Sequence, residues 1–506
     1  MEKNVIWAVA LSAAVLMLWY KFFPSTGPVP AMKPPAGESR RAPPAFAPSD
    51  IQGPARVGRK EPETERALEL DGVGVVLGSR GAAIRRWRIR EGGEDVDLVN
   101  SPGGFPPLAT FPEVNFKEAR TERSPGGGLS SQWTGTLDSG VRVDKTFFLR
   151  TSGVSALEVR LSNPSRSRAR LDGFSVGWTG GLGTVQSEQK ENDSVTRVLA
   201  YPSPKGEVVK FKTGRHPMEY RWAGMDNRYY LFAMLPRPGT FGFLSAEKSK
   251  THPGEIRLET EPIDMEPGET RRFEMDFYVG PKGYARLKSR GLGLEHAVDF
   301  GFFGFLGKWA LKALNRLNHV TGNYGWAIIL LTCGMQVLVL PLSLKSYKAT
   351  AAMKKLQPKI QDLQKRHKDD SKRMNQEMMD LYRQAGTNPF GGCLPMILQI
   401  PIFWAFFTML RNSYELHGSP WILWIHDLSR HDPYYVLPVV MGGGMFLQQK
   451  ISGAVGDPNQ AKIMMFMPVV FTFMFLKFPS GLVLYWLTNS VLSIASQYWY
   501  TKKNAA

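Results

Sequence analysis

Residues 331–341 read LTCGMQVLVLP, and they lie inside a longer run, Tyr324 to Leu344, that contains no Asp, Glu, Lys, Arg or His. A helix of that length reaches about 30 Å at roughly 1.5 Å per residue, enough to cross the hydrocarbon core of a bilayer. This run makes the chain a membrane protein despite a slightly negative mean hydropathy. It also singles out Gln336, because an unpartnered amide in an apolar medium costs about 2–7 kcal/mol.

Working outward, four more apolar blocks follow: Gly391 to Leu410, Tyr434 to Gln449, Ile463 to Leu476 and Gly481 to Tyr500. The uncharged stretch Val5 to Tyr20 precedes them all, giving six predicted crossings. Bulky Tyr20, Phe22 and Phe23 follow it instead of a small-residue cleavage site, so an uncleaved signal anchor over 1–23 is expected rather than a removed leader. The block between Lys462 and Lys477 holds only fourteen uncharged residues, which implies snorkelling lysines or local thinning.

Basic residues set the orientation. Residues 345–389 carry eleven Lys and Arg, against only Arg411 and Arg430 in the loop from Arg411 to Pro433. The first loop is therefore cytoplasmic, which places both termini inside and the large polar region outside. Within that basic loop Met353, Leu356, Ile360 and Leu363, then Met374, Met378 and Leu381, repeat at helical spacing on either side of HKDDS. A helical hairpin over 345–386 is predicted, with Lys354 and Lys355 on its first arm.

Before the crossings, residues 24–60 are rich in Pro, Ala and Gly, a linker composition. Residues 61–280 alternate at period two, as in Leu157, Val159 and Leu161 and again in Phe273, Met275, Phe277 and Val279, which predicts a large antiparallel β-sandwich. In 281–321, Lys308, Lys312 and Arg316 fall on one helical face and Phe305, Leu306, Trp309, Ala313 and Leu317 on another, as in an amphipathic helix lying at a membrane interface.

The net charge of +18 suits anionic lipid or a cytoplasmic membrane face and does not by itself call for specific nucleic acid. The two cysteines, Cys333 and Cys393, both fall in apolar blocks, so neither a disulfide framework nor a metal site is expected. No P-loop, zinc-protease motif or nucleophile arrangement stands out, and neither an enzyme nor a cofactor is expected. His216 and His252 leave open a sugar site on the β-domain. Polar residues recur at mid-span instead: Thr332 and Gln336, Gln399, then Thr488, Asn489, Ser493 and Gln497. None is charged, which argues against an ion-coupled pump. They form either interhelical hydrogen bonds or the lining of a hydrated cavity.

The stretches LQPKIQ, NPFGGCLPMILQIPIFWAFF, PWILWIHDLSRHDPYYVLPVVMG and KIMMFMPVVFTFMFLKFPSGLVLYW closely resemble the membrane core of the YidC family of membrane protein insertases of Gram-negative bacteria. The resemblance covers about residues 322–500. It implies a five-helix core enclosing a polar groove open to cytoplasm and lipid, and a periplasmic supersandwich domain. It also implies insertion of nascent inner-membrane proteins, alone or with the Sec translocon, and clients delivered by the ribosome or the signal recognition particle pathway at the hairpin. Carried onto this chain, the groove residues are Thr332, Gln336, Gln399, Tyr485, Trp486 and Asn489, with Gln336 standing where the family usually has arginine. After Tyr500 only TKKNAA follows, so a long basic ribosome-binding tail is not expected. A polytopic transporter or a membrane-tethered sugar-binding module are the alternatives.

Overall fold

The computed structural model describes residues 62–505 except 92–93, 101–105, 125–126, 152, 204–205, 249–253, 368–369, 387–393 and 453–457. The expected anchor over 1–23 and linker over 24–60, like His252 and Cys393, lie outside the described residues.

The described residues of the alternating region fold mostly as β-sheet. Strands β1 (Glu65–Leu70), β2 (Val73–Gly78), β3 (Ala83–Glu91) and β4 (Glu94–Asp97) form one antiparallel sheet in chain order. After them come β5 (Lys117–Arg123), β6 (Leu129–Thr136), β7 (Arg142–Leu149), β8 (Ser155–Ser162), β9 (Ala169–Leu171), β10 (Ser175–Thr179), β11 (Arg197–Pro202) and β12 (Val209–Phe211). Then β13 (Thr213–Pro217), β14 (Tyr220–Asp226), β15 (Tyr230–Pro236), β16 (Phe243–Glu247), β17 (Glu255–Glu259), β18 (Ile263–Met265) and β19 (Thr270–Pro281) complete the domain. A nine-stranded sheet has the order β12-β11-β14-β15-β19-β8-β7-β6-β5, and a second four-stranded sheet the order β10-β17-β16-β13.

Period-two patterning does the sorting. In β8, Leu157, Val159 and Leu161 are buried while Glu158 and Arg160 face out, and β8 pairs with β19 so that Leu157 opposes Met275 and Val159 opposes Phe273. Strand β15 (YLFAMLP) is apolar and buried on both faces, as a strand covered on both sides must be. The ring of Trp178 in β10 packs on Phe232 of β15 at 4.6 Å between centroids, joining the two sheets through the core.

Helices follow, after short turns at α1 (Gln189–Val195) and α2 (Tyr284–Lys288): α3 (Gly304–Thr321), α4 (Tyr324–Arg366), α5 (Ser371–Gln384), α6 (Leu394–Asn412), α7 (Val436–Ser452), α8 (Pro458–Phe475) and α9 (Ser480–Ala505). Each of the five apolar blocks from Tyr324 onward has a helix. Among the described residues one segment, Tyr324–Leu363 of α4, is by itself long and apolar enough to cross a membrane.

The predicted crossing to Leu344 and the first arm of the predicted hairpin from Lys345 belong to one helix, since α4 runs unbroken for 43 residues through Pro341 and Pro358. A proline removes one backbone hydrogen bond and adds a clash, but it does not oblige a helix to stop when the turns on both sides are held by packing. In α3 the residues packed inward are Gly307, Ala310, Leu311 and Leu314, whereas Phe305 and Trp309 are 72% and 59% exposed. The helix thus has three faces: one against the protein, one apolar and open, one basic.

The β-domain is joined to the helices by a buried charge cluster. Arg197 donates to Asp226 and, at 2.6 Å, to Asp299, while Lys282 reaches Asp226 at 2.8 Å. Burial pushes the Lys282 ammonium down to about 8, the attraction of Asp226 only partly offsetting it. The Asp299 carbonyl accepts from Asn412 Nδ2 at 2.9 Å at the end of α6. Three residues on, Glu415 accepts from the Tyr284 amide at 3.2 Å, its carboxyl pushed up by burial, and His417 stacks on Tyr229 at 4.4 Å.

Candidate functional site

Helices α4 and α9 pack along each other, and the polar residues of both meet in one seam. Gln336 Nε2 donates to Ser493 Oγ at 3.2 Å. Further along, the Tyr347 hydroxyl lies 3.2 Å from Ser496 Oγ and 3.4 Å from the Ser493 carbonyl. The spacing explains the alignment: 332, 336, 343 and 347 step by four, seven and four on α4, as 489, 493 and 496 step by four and three on α9. Every side chain in the seam is uncharged.

Not all of these groups are available to a ligand. Thr332 is 2% exposed and spends its hydroxyl on the Ile328 carbonyl at 2.7 Å, and Ser343 likewise bonds Val339 at 3.2 Å. Gln336, Asn489 and Gln399 are half-buried. Tyr347, Ser343 and Ser496 were not singled out from the sequence. Ser343 and Tyr347 continue the Gln336 face beyond Pro341, where extending the four–seven step past the proline finds them, and Ser496 lies across from Tyr347 on α9.

The two aromatic residues expected at the groove have different company. Tyr485 is 4% exposed and stacks on Phe406 of α6 at 5.0 Å. Trp486 sits among Phe403 of α6 at 4.8 Å and Phe475 and Phe471 of α8 at 5.2 and 5.9 Å. They form an apolar aromatic seam of α6, α8 and α9.

The outer surfaces of these helices are strongly apolar. Val337 and Leu338 on α4, Val439 on α7, Phe466, Val470 and Phe473 on α8 and Val491 on α9 are each more than half exposed. Such a belt is what a hydrocarbon solvent permits and water does not. Close packing within the bundle comes from small residues: a Cβ added at Gly442 of α7 would stand 1.9 Å from Thr472 Oγ1 of α8.

At the far end of α4 the hairpin has its own small core of Met353, Ile360 and Tyr382, with Leu356, Met378 and Leu381 packed against it. Asp370 caps α5 by accepting from the Arg373 amide at 3.0 Å. Lys354 Nζ donates to the Ile451 carbonyl at 2.7 Å in the last turn of α7, a cation at a helix C-terminus, while Lys355 is exposed and Met374 half-buried.

The described residues of the β-domain offer no comparable chemistry. The pentapeptide GFSVG at 173–177 has the spacing of a hydrolase nucleophile elbow, but Ser175 lies in β10 opposite Glu259, an ordinary strand position with no strand-to-helix turn. A cleft of about 420 Å³ beside it is lined by Asp172, Ser175, Arg215 and Glu259, with Arg215 and Glu259 paired at 2.7 Å and no histidine in the lining. His216 rests on the Phe211 ring at 4.7 Å. No group of three or more potential metal ligands occurs among the described residues.

Comparison with known proteins assigns both halves. Residues 316–506 match the family model for the 60Kd inner membrane protein, and residues 99–312 match the model for the YidC periplasmic domain. The membrane protein insertase YidC of Endomicrobium trichonymphae is 40% identical over 525 residues, spanning 100% of this chain and 99% of that one. Its counterpart from Syntrophus aciditrophicus (strain SB) is 32% identical over 551 residues, spanning 99% and 100%. Among solved structures, an active YidC insertase with its first transmembrane domain resolved aligns over 86% of this chain and 92% of its own, at 19% identity and a TM-score of 0.40.

Proposed function

The chain belongs to the YidC family of membrane protein insertases, and on that premise we propose that the seam between α4 and α9 is one wall of a polar groove for client segments. It is an inner-membrane insertase and not an enzyme, and its substrates are nascent membrane proteins. Family membership weighs against the transporter and the tethered sugar-binding module.

In this reading α4, α6, α7, α8 and α9 cross the inner membrane together with the N-terminal run, leaving both termini and the hairpin in the cytoplasm and the β-domain in the periplasm. A client's short polar segment enters beside Gln336, Ser493, Asn489 and Gln399, where its peptide groups exchange water for uncharged side chains. Its apolar part leaves along the aromatic seam of α6 and α8, past Trp486 and Tyr485, into lipid. Burial of apolar client surface, at roughly 25 cal/mol per Å², supplies the driving force. The hairpin carrying Met353, Lys354, Lys355, Met374 and Met378 receives clients from the ribosome or the signal recognition particle pathway, and larger clients are handled with the Sec translocon.

The observation that carries this reading is the coexistence of an outward apolar belt with an inward row of uncharged hydrogen-bonding groups centred on Gln336 and Ser493. Depletion in the native cell, followed by protease protection of newly made short membrane proteins, tests it. Loss of protected insertion is expected, and normal insertion of every client would overturn it.

A further inference from the structure

We propose that Asp432 is the positioning residue that keeps the groove shut at the end remote from the hairpin, an inference that rests on the groove reading above. One loop, residues 413–435, meets the first turns of three helices of the bundle. At α4, Asn323 accepts from the Gly325 and Trp326 amides at 2.8 and 3.3 Å while its Nδ2 donates to the Pro420 and Trp421 carbonyls, both at 3.1 Å. The Trp421 ring covers that turn so closely that a Cβ added at Gly325 would stand 2.0 Å from its Cδ1. At α9, the Leu428 carbonyl accepts from the Gly481 amide at 2.9 Å, and the Arg430 carbonyl from the Ser480 amide and hydroxyl, each at 2.7 Å.

At α7 the partner is Asp432 itself, wholly buried. Its Oδ1 accepts from Trp424 Nε1 and from the Tyr434 amide, both at 3.0 Å, and its Oδ2 from the Leu437 amide at 2.7 Å. A carboxylate belongs there because the first-turn amides of a helix lack partners and the positive end of its dipole favours an anion. The three bonds come from both sides in sequence, so this side chain ties Trp424 to the start of α7. The stretch folded back between them contains Leu428 and Arg430, whose carbonyls hold α9. Without Asp432, the segment covering α9 loses its tether at one end.

Labelling from each face tests the seal. A chain with Cys333→Ser, Cys393→Ser and Gln336→Cys is treated with a membrane-impermeant maleimide from the cytoplasmic or the periplasmic side. The parent loop gives labelling from the cytoplasm alone. Adding Asp432→Ala is expected to raise the periplasmic rate by about tenfold or more, the scale of one lost capping interaction, with the cytoplasmic rate unchanged. Asp432→Asn, which keeps one acceptor oxygen for Trp424 and Tyr434, gives an intermediate periplasmic rate and carries the test alone if the alanine variant does not accumulate. Labelling that stays one-sided in a folded Asp432 variant overturns the seal. Protection from both faces with the parent loop overturns the groove reading, and the seal with it.

Discussion

The side-chain amide of Gln336 reaches across from α4 to donate to the Ser493 hydroxyl of α9 at 3.2 Å, so the one amide of that span is partnered by another uncharged group. Interhelical hydrogen bonds of this kind contribute about 0.6–2 kcal/mol. Gln336→Leu is therefore expected to leave the bundle folded and to slow insertion of clients with polar translocated segments by about three- to thirtyfold. Gln336→Arg adds a fixed cation, and clients carrying Asp in that segment should then gain over clients carrying Asn. A protease-protection assay comparing the two clients in both proteins checks this, and equal dependence on client charge would defeat it.

Asp226 is wholly buried between Arg197 and Lys282. Removing one partner of a buried charge set leaves the others uncompensated, so Asp226→Asn should destabilise the β-domain by about 3–5 kcal/mol. Denaturant unfolding followed by tryptophan fluorescence gives the number, and a loss below about 1 kcal/mol, the worth of an exposed pair, would contradict the assignment.

Asp299 titrates in the acid range. Burial acts to raise its carboxyl, but the charge of Arg197, the Gly301 amide and Lys210 together bring it down to about 2. Because the folded value lies below the unfolded one, the contribution is present above the unfolded value and is lost as pH falls toward 2. The group is partly exposed, so the loss should be about 1 kcal/mol. Melting temperatures at pH 6 and pH 2.5 should differ less in Asp299→Asn than in the parent, and an equal difference refutes the claim.

Gly442 and Thr472 hold α7 and α8 in close approach. Gly442→Ala is expected to lower thermal stability, since the new methyl would overlap Thr472 Oγ1 and one element must move. Thr472→Ala in the same chain should recover part of the loss, because residues in contact are not additive. Melting curves of the two single variants and the double variant decide it, with simple additivity as the contrary result.

Much of this was legible in the sequence because the burden fell on periodicity. Leu157, Val159 and Leu161 announce a half-buried strand, and Met353, Ile360 and Met378 announce a hairpin, whatever surrounds them. Other features depend on neighbours that the local pattern does not contain. The charge boundary at Lys345 separates span from hairpin, and nothing local to it shows that α4 passes through Pro341 without a break. Phe305 and Trp309 read as the apolar face of an interfacial helix, but that α3 packs through Gly307 and Ala310 depends on its neighbours, since close helix contact favours small residues. Tyr485 and Trp486 are placed at the groove only by the family resemblance, and nothing local to them shows that Phe406 and Phe475 are waiting across the seam. Asp432 sits in a loop with no periodicity, so its capping of α7 is visible only once Trp424 and Leu437 are brought to it.

The unbroken α4 has a mechanical meaning. Forty-three residues make a rod of about 65 Å, roughly twice the thickness of the hydrocarbon layer. Asn323 fixes one tip against the 413–435 loop, Gln336 sits near one third of the length, and the hairpin core around Met353 grips the other portion. On the proposed reading, a push on the hairpin by an arriving client would reach Gln336, some 25 Å away at about 1.5 Å per residue, as rotation or tilt, with no intervening joint but a proline. Delivery and insertion would then be two ends of one lever.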